Sequence, residues 1–140
     1  ARFRGEDPAR VRAVADRLLV WGLAVGVLIA ALLALGRPWI PRVFTDDAEV
    51  LAAVGAIWAL LWAPQPLNAL VFVWDGIFMA AERFRFLAGA MLLAAGAGAL
   101  EMLLVVPQGW GLAGVWWGMI LINAVRALTL AWGYWRARMV

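Results

Sequence analysis

The chain contains no cysteine, histidine, serine or lysine, and Thr45, Thr129 and Tyr134 carry its only hydroxyl groups. Disulfides, thiolate or imidazole metal sites, and every nucleophile built on Ser/His, Cys/His or Ser/Lys are thereby excluded. Nine acids remain that could bind a hard cation or carry protons, so a hydrolytic enzyme would have to be assembled from carboxylates alone. The composition argues against an enzyme and calls for no cofactor and no metal. Charge is also scarce: 15% of residues are charged and 66% are hydrophobic, against roughly 45–50% apolar usage in a soluble domain. Such a chain is composed for a bilayer and for contact with membrane lipids. Twelve Arg against nine acids leave a net charge of only +3, too little to suggest a nucleic-acid partner.

Long uncharged runs set the organisation, because about 20 apolar residues are needed to cross a hydrocarbon core about 30 Å thick. Four appear, at about residues 18–36, 50–75, 86–106 and 111–135. Pro64-Gln65-Pro66 interrupts the second, Glu101 lies in the third and Arg126 in the fourth. The runs lack the polar-inside alternation of barrel strands, so helices are expected. Pro107-Gln108-Gly109 makes the last two an antiparallel hairpin. The expected class is therefore an all-α, polytopic membrane protein with four transmembrane helices.

Arg2, Arg4, Arg10, Arg12, Arg17, Arg83, Arg85, Arg136 and Arg138 fall on one side of this layout, and only Arg37 and Arg42 on the other. By the positive-inside rule both ends of the segment are cytoplasmic and the membrane is a cytoplasmic (inner) one. Asp7-Pro8 reads as a helix start, and Asp46-x-x-Glu49 resembles a capping box opening the second span. Trp39, Trp110 and Trp135 fall at the expected interfaces. The chain opens at Ala1 without an initiator Met or a signal-peptide apolar region, and so reads as a piece of something longer.

The second span carries the functional signal. Pro64 and Pro66 each remove a backbone donor, so a kink of more than 20° is expected within a turn of Pro64. Backbone freed at membrane depth is tolerated only beside protein or a watery cavity, and a broken helix points to a transport pathway. A kink that merely improves packing is the other reading. Gln65, Asn68 and Asp75 share one stripe of the same helix, with Phe72 within it; the stripe either bonds to neighbouring helices or lines a substrate cleft. Arg126 can snorkel to the cytoplasmic surface or meet Asp75, since the prolines shorten the vertical reach of the second span. Glu101 lies too far from Arg126 along the hairpin axis to pair with it. That leaves it as a proton or cation group, or as a packing residue near the outer rim.

Three stretches resemble the multidrug and toxic compound extrusion (MATE) family. Residues 40–50, with Pro41, Phe44-Thr45-x-Asp47 and Val50, look like the loop before the family's tenth helix. Pro66-Leu67-Asn68-Ala69 with Asp75-Gly76 resembles that helix in the DinF-like branch, and Gly109-x-Gly111-x-x-Gly114-x-Trp116 with Arg126 looks like the twelfth helix. Ala80-Ala81-Glu82-Arg83 departs from the usual Gly-x-x-Asp run. The resemblance implies the last four helices of a twelve-helix antiporter, part of a six-helix lobe whose N-terminal partner lobe is missing here. It also implies exchange of H⁺ or Na⁺ for amphipathic or cationic small molecules across a cleft lined by the 50–75 helix. The amide of Asn68 stands where Na⁺-linked relatives have a carboxylate, and in the DinF-like branch the proton acid is expected in the absent lobe. A cleft without a central acid favours bulky amphipathic compounds held by Trp58, Trp62 and Phe72. The rival readings are a self-contained four-span protein that dimerises as a small exporter, which the absence of an acid in the first span opposes, and an assembly or anchor subunit.

Overall fold

The computed structural model describes residues 8–138 and is all-helical among them. Helix α1 covers Pro8–Gly36, α2 Ala48–Trp62, α3 Gln65–Ala80, α4 Phe84–Val105 and α5 Gly111–Arg138, with 3₁₀ turns at Pro41–Val43 and Val106–Gln108. Asp7 lies outside the described residues, while α1 begins at Pro8. The cap of α2 is Asp47 rather than Asp46: its Oδ1 accepts from the backbone N–H groups of Glu49 (2.8 Å) and Val50 (3.3 Å). The hydroxyl of Thr45 accepts from the Asp47 N–H at 3.1 Å, which sets the capping residue one position later than the box pattern implied.

Three helices, α1, α4 and α5, are each long and apolar enough to cross a membrane, and α2 with α3 makes a fourth crossing bent by 48°. Both halves keep advancing in one direction. At about 1.5 Å per residue they have more than enough combined length for a core of about 30 Å. The turn after α3 closes with Arg83 N–H donating to Phe78 C=O and Glu82 N–H to Met79 C=O, both at 3.0 Å. Glu82 takes the left-handed position of this Schellman arrangement, with φ 57°, where glycine is usual.

Packing runs α1 on α3, α3 on α5 and α5 on α4, with α2 leaning on α1 and α5. Lipid offers helices no hydrophobic gain from association, so the contacts rely on small residues that let backbones approach. A Cβ on Gly26 would lie 2.8 Å from Pro66 Cα, and one on Gly22 would lie 2.5 Å from a Val73 methyl group. On α4 the stripe Ala90, Ala94 and Gly98 is buried, and on α5 Gly114 and Gly118 receive Val105 and Glu101 from α4. The core gathers where α1 begins and α5 ends: Ala15, Val71, Trp74, Phe78, Leu130 and Tyr134 are buried together. There Phe78 and Phe86 stack at 4.9 Å between ring centres. The side chain of Tyr134 donates a 2.7 Å hydrogen bond to Asp16, joining α5 to α1.

Gly26→Ala should lower the melting temperature of the full-length protein, because its Cβ meets α3 backbone that cannot yield without separating the helices. Gly89→Ala, on the open side of α4, should raise stability by about 0.5–1 kcal/mol. Thermal unfolding in detergent should show shifts of opposite sign.

Candidate functional site

The break between α2 and α3 follows from proline chemistry. Residues 64 and 66 have no N–H to donate to the carbonyls of Leu60 and Trp62 four positions back, so the helical ladder cannot continue there. It ends with Ala63 N–H on Ala59 C=O (3.0 Å) and resumes with Asn68 N–H on Pro64 C=O (2.9 Å). Gln65 turns its side chain back, and its Nε2 donates to the Leu61 carbonyl at 2.8 Å. One amide thus satisfies the Leu61 carbonyl, which lies between the two that lose their donors to proline.

Beside the break lies a small cavity of about 30 Å³ lined by Pro64, Gln65 and Asn68 on one side and by Trp116, Met119 and Asn123 of α5 on the other. That is room for a water molecule. The Oδ1 of Asn68 is shut off from solvent without a hydrogen-bond partner, whereas Asn123 places its Nδ2 on its own Met119 carbonyl at 3.1 Å. The polar groups of the stripe therefore meet α5. Asn123 escaped the sequence reading, although an amide in an otherwise apolar span is the signal that marks it.

Three turns along the same helix, Asp75 accepts a hydrogen bond from the Arg126 guanidinium in an ion pair across α3 and α5. Only 15% and 19% of the Arg126 and Asp75 side-chain surfaces remain exposed. Both charges are thus removed from lipid, where either alone would be costly. Thr129 donates to the Val125 and Arg126 carbonyls at 2.9 Å, just behind the arginine. Phe72 does not line the cavity and keeps 72% of its surface exposed on the face of α3 it shares with Gly76 and Met79. Trp58 does not belong to an open cleft either. It is buried, and its indole N–H donates to the Leu33 carbonyl of α1 at 2.9 Å. Its place in the α1–α2 contact corrects the reading that it holds substrate. Trp62 is half-buried at the end of α2.

Glu101 has both carboxyl oxygens hidden from solvent with no hydrogen-bond partner, against Gly118. No group of three or more His, Cys, Asp or Glu among the described residues could hold a metal ion.

A chain of crossings held by glycine contacts, with one crossing broken at a polar pocket, defines a multi-pass α-helical membrane protein. The MatE family profile matches residues 5–103, and the chain belongs to that family. It is 34% identical over 96% of its length to Protein DETOXIFICATION 42 of Arabidopsis thaliana, covering 25% of that protein. It is 36% identical over 88% of its length to Protein DETOXIFICATION 44, chloroplastic, of the same plant, covering 23%. Protein DETOXIFICATION 45, chloroplastic, shares 32% identity over 83% of the chain, which covers 20% of that relative. The chain thus spans about a quarter or less of the curated relatives it matches. No solved structure matches it significantly.

Arg126→Leu should destabilise the protein by about 3 kcal/mol, because it leaves Asp75 as an unpaired, largely buried charge. Adding Asp75→Asn should restore part of that loss, and a double-mutant cycle on unfolding measures the coupling. Glu101→Met, which removes an unpartnered carboxyl from a dry contact, should raise the unfolding temperature.

Proposed function

We propose that this chain is the C-terminal part, the last four of twelve helices, of a secondary active efflux antiporter of the DinF-like type. Its α2–α3 crossing lines the cleft through which amphipathic or cationic small molecules leave in exchange for H⁺ or Na⁺. The observation that carries the reading is the 48° break at Pro64-Gln65-Pro66, with the buried, unpartnered Asn68 oxygen beside it. A packing kink needs no polar pocket, whereas a pathway does. Membership of the MatE family and the word DETOXIFICATION in the relatives' names support export of foreign compounds.

In this reading residues 1–140 form one membrane segment of a six-helix lobe, and the N-terminal lobe covers the open face of α3 at Phe72, Gly76 and Met79. Gln65 and Asn68 line the pathway with Phe72, and Pro64 and Pro66 allow its walls to bend. Asp75 is neutralised by Arg126, and Asn68 cannot titrate, so ion coupling falls to the other lobe. The arginine distribution supports a cytoplasmic membrane with both ends of the segment inside.

The test is gradient-driven export of an amphipathic cation by the full-length protein in proteoliposomes. Asp75→Asn should lower the rate several-fold at equal membrane abundance, because it releases α5 from the cleft helix. Undiminished export would reduce Asp75 to a helix-end charge. Export by a dimer of the 140-residue chain alone would favour the small self-contained exporter.

A further inference from the structure

The two arginines that stand against the charge bias of this protein, Arg37 and Arg42, line one cavity of about 280 Å³ with Pro38, Pro41, Leu51 and Gly55. It lies where α1 ends and α2 begins. Arg37 donates one side-chain hydrogen bond, to the Gly55 carbonyl at 3.3 Å, and the Arg42 side chain makes none among the described residues. Acids are close in sequence, at Asp46, Asp47 and Glu49, yet none of them pairs with either arginine. Asp47 is committed to capping α2. Two guanidinium groups therefore border a cavity with their donors largely unspent.

A second observation concerns the apolar side chains of the same loop. Trp39, Val43 and Phe44 are 69%, 80% and 84% exposed, which water would penalise and the boundary between lipid headgroups and acyl chains would not. The loop is short and stiff, with Pro38 and Pro41 fixing its backbone and the 3₁₀ turn Pro41–Val43 closing it. A loop held at that boundary by Trp39, Val43 and Phe44 would sit at the level of lipid phosphates. Guanidinium groups bind phosphate oxygens through paired, charge-assisted hydrogen bonds.

We propose that Arg37 and Arg42 form a binding site for the phosphate of an anionic phospholipid, with Trp39, Val43 and Phe44 inserted among its acyl chains. The bound lipid bridges the end of α1 to α2 and holds the upper half of the broken crossing against its neighbour. This assignment is independent of what the protein transports.

The test uses the full-length protein in phosphatidylcholine bilayers containing phosphatidylglycerol, with retained lipids counted by native mass spectrometry. The parent protein should retain phosphatidylglycerol in preference to phosphatidylcholine. Arg37→Gln/Arg42→Gln should weaken that retention at least about tenfold, since it removes two sets of charged hydrogen bonds. Arg42→Gln alone removes no hydrogen bond from the structure and so tests the site in a folded protein; it should also lower retention. Arg37→Lys/Arg42→Lys should keep most of it, and Arg83→Gln, on the opposite membrane face, should change nothing. Equal retention by the parent and the double glutamine variant would overturn the proposal. Two other results would do the same: no lipid preference in the parent, as when another segment of the protein covers the loop, or displacement of the lipid by inorganic phosphate at comparable affinity.

Discussion

Helices in lipid gain nothing by hiding apolar surface from a solvent that is itself apolar, so this protein is held together by how closely its backbones can approach. Gly22 and Gly26 of α1 admit Val73 and Pro66 of α3, and Gly114 and Gly118 of α5 admit Val105 and Glu101 of α4. Because α3 is brought against α1 by residues that follow directly on the proline break, the position of the break is fixed by the same contact that stabilises the bundle. The polar pocket at Pro64, Gln65 and Asn68 can then form on the other side of α3, against α5. Close packing and the polar pocket are two faces of one short helix.

Breaking a crossing exposes carbonyls where no water is at hand, and the protein meets that cost locally. Gln65 bonds the Leu61 carbonyl at the break itself; elsewhere on α2, Asp47 accepts from the first N–H groups of the helix and Trp58 donates to the Leu33 carbonyl of α1. The charges are handled in the same manner: Asp75 and Arg126 neutralise one another across two helices. Among the described residues, the buried side-chain atoms without a partner include Asn68 Oδ1 and the Glu101 carboxyl. The first borders a cavity and the second lies against Gly118 in the α4–α5 contact.

Much of this was legible in the residues themselves. Runs without charge mark the long apolar helices, because a single arginine or glutamate in lipid is costly enough to leave a mark, although α1 begins at Pro8, ten residues before the first run, and α3 continues past Asp75 to Ala80. Proline marks the break because it lacks a donor whatever surrounds it. Residue counting also allowed Arg126 to reach Asp75. Side-chain direction around each helix was less accessible. Trp58 and Phe72 look alike as large aromatics near the break, yet one is buried against α1 and the other is open, and only the rotation of α2 relative to α3 decides that. The choice of Asp47 over Asp46 as cap, and the role of Asn123, depend likewise on which way a neighbouring segment turns.

The hydrogen bond between Tyr134 and Asp16 has a mechanical meaning. Helix α1 is tied to α3 by glycine contact, α3 to α5 by the Asp75–Arg126 pair, and α5 back to α1 by this bond. Three members joined pairwise make a truss, which cannot shear without stretching one of its joints, whereas α2 leans on α1 and α5 beyond the break and α4 packs mainly on α5, with Phe86 against Phe78 of α3. The half of the crossing below Pro64 is thus the more heavily tied of the two. The proline pair thus sits at the corner where this triangulated frame meets a helix with fewer ties, and the 48° bend falls at that corner.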